Sequence, residues 1–199
     1  MSNSLILFKG NISAACDLIG LEHALSALAT SALDTSDLLR ASMVFSVSAL
    51  DHYVHEKIVE MAVEIAIGAR GANYRFSNSR IGKNAVMLTA SGSPVDAMVE
   101  SEVRGENAFS SFQQPEKITS AFKRVSNVNI WRQVGLHLAM NEAVVMRNLK
   151  LVVSRRNQIA HEADRNPAFP YNRWPINSSD ASFASDLIDA IITAFDAAL

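Results

Sequence analysis

Val145-Met146-Arg147-Asn148-Leu149-Lys150-Leu151-Val152-Val153-Ser154-Arg155-Arg156-Asn157-Gln158-Ile159-Ala160-His161-Glu162-Ala163-Asp164 begins as an amphipathic helix and changes character near its end. Val145, Leu149 and Val152 recur at helical spacing, and the next members of that stripe are Arg156 and Ile159; the adjacent row runs Met146, Val153, Asn157, His161. A guanidinium aimed at a core is costly unless it is paired, solvated in a cleft, or facing a ligand or a second subunit. The point where the stripe turns polar is therefore the first candidate for a functional site.

Outward from this helix, strand signals are scarce and helical periodicity is frequent. Ser13 predicts a capped helix over 13–33 with Leu18, Leu21, Leu25 and Leu28 inward. Ser36 or Asp37 opens a second helix carrying Leu39, Met43, Val47, Leu50, Val54, Ile58, Met61 and Ile65, ended by Gly68 and Gly71. At roughly 30 residues it spans about 45 Å, the length of a bundle's spine. Residues 68–94 read as a connector of Gly, Asn and Ser with Arg70, Arg75, Arg80 and Lys83 interspersed. Short helices follow over 95–104, over 116–124 behind Pro115, and over 130–140 with Trp131. Asn141 is the N-cap expected for the helix quoted above, which stops by Asn166-Pro167. A Pro-rich loop over 167–175, with Phe169, Tyr171 and Trp174, packs across helix ends; Ser178 or Ser179 starts a last helix with Phe183, Leu187, Ile191 and Phe195 as its stripe. The expected architecture is all-α: one domain over 1–199, a bundle in which the long helices 37–67 and 141–163 pack antiparallel among shorter ones.

Composition narrows the class. Hydrophobic residues make up 49% and charged residues 19%, as in a packed soluble chain rather than a disordered one. A lone Cys16 excludes an internal disulfide and a Cys-based zinc site, suits a reducing cytoplasm, and is expected to pack as a small apolar residue. The apolar piece at 5–8 is too short for a signal sequence, and no uninterrupted apolar run nears the roughly 20 residues of a membrane span, so a cytoplasmic protein without membrane contact is expected. Net charge is −2 but uneven: 1–66 hold three Lys/Arg against eight Asp/Glu, 174–199 hold none against four, and 117–165 hold nine against three. The basic stretch contains the polar switch. A polyanion-binding face on an acidic protein has this pattern, as does a solvated helix face balanced by acidic neighbours.

Arg156, four residues, then His161, with Asn157 directly after the Arg, resembles the R-x4-6-H motif of HEPN domains, helical proteins many of which are ribonucleases. Arg156-Asn157-x-Ile159-Ala160-His161-x-x-Asp164 is similar to the penultimate helix of the RiboL-PSP-HEPN subgroup and its relatives, and Ser48-Ala49-Leu50-Asp51-His52-Tyr53-Val54-His55-Glu56 to its second helix. The two quoted segments make up 18 of the 199 residues. The resemblance implies a HEPN-like bundle and a metal-independent endoribonuclease, a toxin or defence component restrained by an antitoxin or other regulatory protein. It further implies a homodimer that brings two motifs into one cleft. The chain departs from the commoner toxin form in carrying Ala163 where a Tyr stands two residues after the His.

The residue types fit that chemistry. Asn157 and His161, four apart, share a helix face, and Arg156 lies about 100° round from Asn157, within reach of its long arm. His exchanges protons near neutral pH, Arg holds phosphate oxygens bidentately, and Asn orients either partner. Arg156, Asn157 and His161 are thus the candidate catalytic set, with Arg155 and Lys150 as substrate-binding cations. Asp51, His55, Glu56 and Asp164 are the candidate supporting residues, holding Arg156 or ordering a dimer. The competing reading makes this a plain helix end, with His161 capping carbonyls and Arg156 paired to a carboxylate such as Asp51. A second function class keeps the fold without turnover: a HEPN-like module binding RNA, a nucleotide or a partner protein. No cofactor or metal is expected. His55-Glu56 begins an H-E-x-x-H pattern that fails at Val59, and Gly68-Ala69-Arg70-Gly71 lacks the Lys-Ser/Thr of a phosphate loop.

Overall fold

The computed structural model describes residues 2–28, 30, 33–80 and 82–199. The chain is an all-α helical bundle. In order it forms α1 (Asn3–Leu28), α2 (Ser36–Ala66), the single turn α3 (Tyr74–Ser77), α4 (Lys83–Ala90), α5 (Val95–Asn107), α6 (Pro115–Phe122), α7 (Ile130–His137), α8 (Glu142–Glu162), a hairpin of β1 (Arg165–Asn166) and β2 (Phe169–Arg173), and α9 (Ser178–Ala198).

The spine is α2, whose Met43, Val47, Leu50, Val54, Ile58 and Met61 are buried along one stripe. One continuous core runs from Leu5 and Phe8 of α1 through α2, α6, α7 and α8 to Phe195 of α9. Its aromatic centre is Phe195, edge-on to Trp131 at 5.2 Å and to Phe122 at 5.7 Å, while Phe8 meets Tyr53 at 5.9 Å. The helices α2 and α8 run antiparallel. Arg40 in the second turn of α2 bonds Asp164 just beyond α8, while Lys150 in mid-α8 pairs with Glu116 of α6, whose preceding loop is held by Asp51 in mid-α2. The most extensive neighbour of α2, however, is α1.

The caps explain why the boundaries fall where they do. Asn141 accepts from Ala143 N at 2.8 Å, and Asn177 forms a reciprocal capping box with Asp180. Gly68, at φ +78°, turns the chain off α2 in a conformation that a Cβ disfavours. At Gly135 a Cβ would stand 2.8 Å from Met140 O, so the α7–α8 turn closes only over a glycine.

Several expectations are corrected by the fold. The first helix starts ten residues early, at Asn3, and buries Leu5, Phe8, Ile12 and Ala15; Leu21 and Leu28 are exposed, because the second half of α1 runs past the core its first half packs on. Residues 29, 31 and 32 of the expected helix lie outside the described residues. By length and composition alone α1 is also apolar enough to cross a membrane, although polar residues interrupt it. The connector carries α3 and α4, since Asn73 caps a turn by accepting from Phe76 N at 2.7 Å. The Pro-rich loop contains a hairpin, β1 antiparallel to β2, with Trp174 half-exposed at its foot. Phe183 of the last stripe is exposed, as is Cys16.

Candidate functional site

Two successive left-handed residues end α8: Ala163 at φ +51° and Asp164 at φ +58°. Neither is glycine, so each conformation costs on the order of 1–3 kcal/mol and must be held by its surroundings. What holds it is the Asp164 carboxylate, 1% exposed, which takes a bond from Arg40 Nε at 2.7 Å and two from the Arg155 guanidinium, one of them at 2.9 Å. Both guanidiniums bond further groups nearby. Arg40 Nη2 donates to Trp174 O at 2.9 Å and Arg155 Nη2 to Pro175 O at 3.1 Å, while Trp174 N donates to Asp164 O at 2.8 Å. A buried charge serviced this fully is a structural clamp. It fastens the start of α2, the end of α8 and the foot of the hairpin at one point. Arg155 is therefore held by Asp164 instead of standing open to a substrate.

Arg156, the next residue, has different company. It occupies the inward stripe after Val145, Leu149 and Val152, all buried, and its Nη1 donates to Asn157 Oδ1 at 3.0 Å. The long arm thus reaches its neighbour's face. Its Nε is buried without a hydrogen-bond partner, and among the described residues no carboxylate lies within ion-pair distance of the guanidinium. A guanidinium without a carboxylate keeps N–H groups that can donate to an anion's oxygens. The side chain of His161, exposed and one turn beyond Asn157 on the same flank, makes no hydrogen bond or ion pair with another described residue. Ser154, on the same flank, is exposed as well, and Leu151 is exposed about 80° round the helix from His161. Of the two expected substrate cations, Lys150 is paired to Glu116 on the surface.

The second-helix residues lie elsewhere. Asp51 accepts from Phe112 N at 2.5 Å and Gln113 Nε2 at 3.3 Å, so it caps the loop before α6. His55 packs against Phe112, ring centroids 4.6 Å apart and planes tilted by 51°, with Nε2 3.8 Å from Asp51. Glu56 receives both Arg104 Nη atoms of α5, at 2.6 and 2.9 Å; those bonds, against some burial, hold its carboxyl below the usual carboxylate range. All three brace α5 and the loop before α6, and none is bonded to Arg156. The competing pairing of Arg156 with Asp51 is likewise not made. Among the described residues no three His, Cys, Asp or Glu side chains converge as metal ligands.

The residue missed from the sequence is Arg40. It falls on the apolar stripe of Met43, Val47 and Leu50, the same signal that singled out Arg156, and it is 7% exposed. Comparison with known proteins found no matching family model, no matching curated protein and no matching solved structure.

Proposed function

We propose that the chain is a metal-independent endoribonuclease of the HEPN type, acting as a symmetric homodimer in the cytoplasm. The observation that carries the reading is the contrast between adjacent arginines: Arg155 is neutralised by Asp164, whereas Arg156 has no carboxylate and one buried, unpartnered N–H. The resemblance of the Arg156–Asp164 string to the HEPN motif supports it further. The clamp below the motif supplies the rigidity that a positioned catalytic group requires.

The chemistry follows from the three side chains. Arg156 and the Asn157 amide hold the scissile phosphate. The substrate's 2′-oxygen attacks the adjacent phosphorus, giving its proton to a neutral imidazole, and the P–O5′ bond breaks as an imidazolium protonates the departing 5′-oxygen. Arg156 stabilises the charge that builds on the phosphorane-like transition state. Two protons move in opposite senses, so the two copies of His161 in a dimer divide the roles of base and acid. A two-fold axis duplicates a one-His site without further machinery, and Leu151, exposed on α8 about 80° round from His161, offers an apolar contact beside the site for the second copy. A toxin or defence role under an antitoxin-like partner belongs to the same proposal.

The attacking oxygen belongs to the substrate, which gives a direct test. An RNA carrying one 2′-deoxy nucleotide at the scissile position is expected to resist cutting there, with 2′,3′-cyclic phosphate ends from the all-ribose control. Cutting at the deoxy position would overturn the mechanism.

A further inference from the structure

A cavity of about 700 Å³ lies among α2, α3, α5 and the turn after α6, away from the α8 motif. Ile58, Ile65, Phe76, Val99 and Val103 form its walls. This is the size and lining of a small-molecule site: apolar surface with a few polar groups at one side. The charges at its mouth are unequally committed. Glu102 accepts from Gly82 N at 2.9 Å, and Glu106 pairs with Arg124, which also donates to Asn107 Oδ1 at 2.8 Å. Arg75 and Arg80 complete the lining, and among the described residues neither has a carboxylate within ion-pair distance. Glu106 is neutralised by Arg124, Glu102 keeps its charge against the Gly82 N–H, and the two open guanidiniums outnumber it.

We infer that this cavity binds a small amphipathic anion, with an apolar chain or ring seated against Val99 and Phe76 and an anionic head between Arg75 and Arg80. A neutral apolar ligand would leave the guanidiniums unused, and a cation would be repelled by them. Arginine suits the head because its fork matches a carboxylate or phosphate edge. The inference stands apart from the nuclease reading, since no residue of the α8 motif takes part.

Three probes with one tail separate the contributions: octanoate, octanol and octylammonium, titrated calorimetrically into the full chain. Octanoate is expected to bind saturably at one site per chain, octanol at least tenfold more weakly, and octylammonium not at all. Arg75 and Arg80 are exposed, so the double variant Arg75→Ala/Arg80→Ala is expected to keep the fold and lose octanoate affinity at least tenfold while leaving octanol unchanged. Val99→Trp, which fills the cavity, is expected to weaken both, with helicity by circular dichroism as the folding control. Equal binding of the three heads, octanoate binding indifferent to the arginines, or binding that persists in a folded Val99→Trp variant would each overturn the inference.

Discussion

Arg155 and Arg156 are neighbours in sequence with opposite circumstances, and substitution separates them. Removing one partner from the Asp164 cluster leaves buried charge uncompensated, so Asp164→Ala is expected to cost about 3–5 kcal/mol of stability, read as a lowered midpoint in urea. Arg155→Ala is expected to show a smaller loss of the same kind. Arg156→Ala removes no ion pair; it is expected to leave stability nearly unchanged or improved, through loss of a desolvated N–H, while weakening both RNA binding and cleavage. Equal destabilisation by both arginine variants would contradict this assignment. The same logic shows what was legible in the sequence. The run of Val145, Leu149 and Val152 into Arg156 exposed a cation on a buried stripe, but Arg40 on the stripe of Met43 and Val47 carried the same signal unread. Which of Arg155 and Arg156 meets a carboxylate depends on Asp164 folding back in left-handed geometry, and spacing alone does not reveal that.

At the scale of elements, the end of α8 stores backbone strain. A glycine adopts positive φ without a Cβ penalty, so Ala163→Gly is expected to stabilise the fold by about 1 kcal/mol, seen as a raised midpoint of thermal unfolding. A lowered midpoint would contradict the left-handed assignment. The joints between elements also set the acid response. The carboxyl of Glu56 lies below its ordinary range because of Arg104. At Asp196 burial pushes upward, but bonds from Ser2 and Lys57 outweigh it and hold the group low. A depressed folded pKa gives stability that is fully present above the ordinary carboxylate range and is lost as pH falls through the depressed value. The urea midpoint is therefore expected to hold from pH 7 to 5 and fall below about pH 4; Glu56→Gln is expected to flatten part of that fall. The helices were readable because start signals stand at their N-termini, Asn141 before α8 and Pro115 at α6, whereas Asn177, the cap of α9, stands one residue before the serines that the sequence offered. The hairpin was not, since β1 has two residues and its register is set by Trp174 N reaching Asp164 O, a contact made only after α8 ends. Nor did the Leu18, Leu21, Leu25, Leu28 repeat disclose that its half of α1 extends beyond the core.

For the whole molecule, the proposal requires two copies, because one exposed His161 cannot be base and acid in the same step. Sedimentation at micromolar concentration is expected to give a dimer, and Leu151→Glu, on the exposed side of α8, is expected to shift it toward monomer and reduce cleavage together. A monomeric wild type with full activity would contradict the paired site. The central claim is that His161 moves protons for RNA cleavage without a metal, and the most direct measurement is cleavage of labelled RNA in excess EDTA by the purified wild type and by His161→Ala. The account predicts cutting by the wild type and a loss on the order of 10²-fold or more in the variant, with RNA affinity nearly unchanged. No cutting by the wild type, or equal cutting by both, would contradict it; RNA bound by Arg156 without turnover would mark the chain as a binding module.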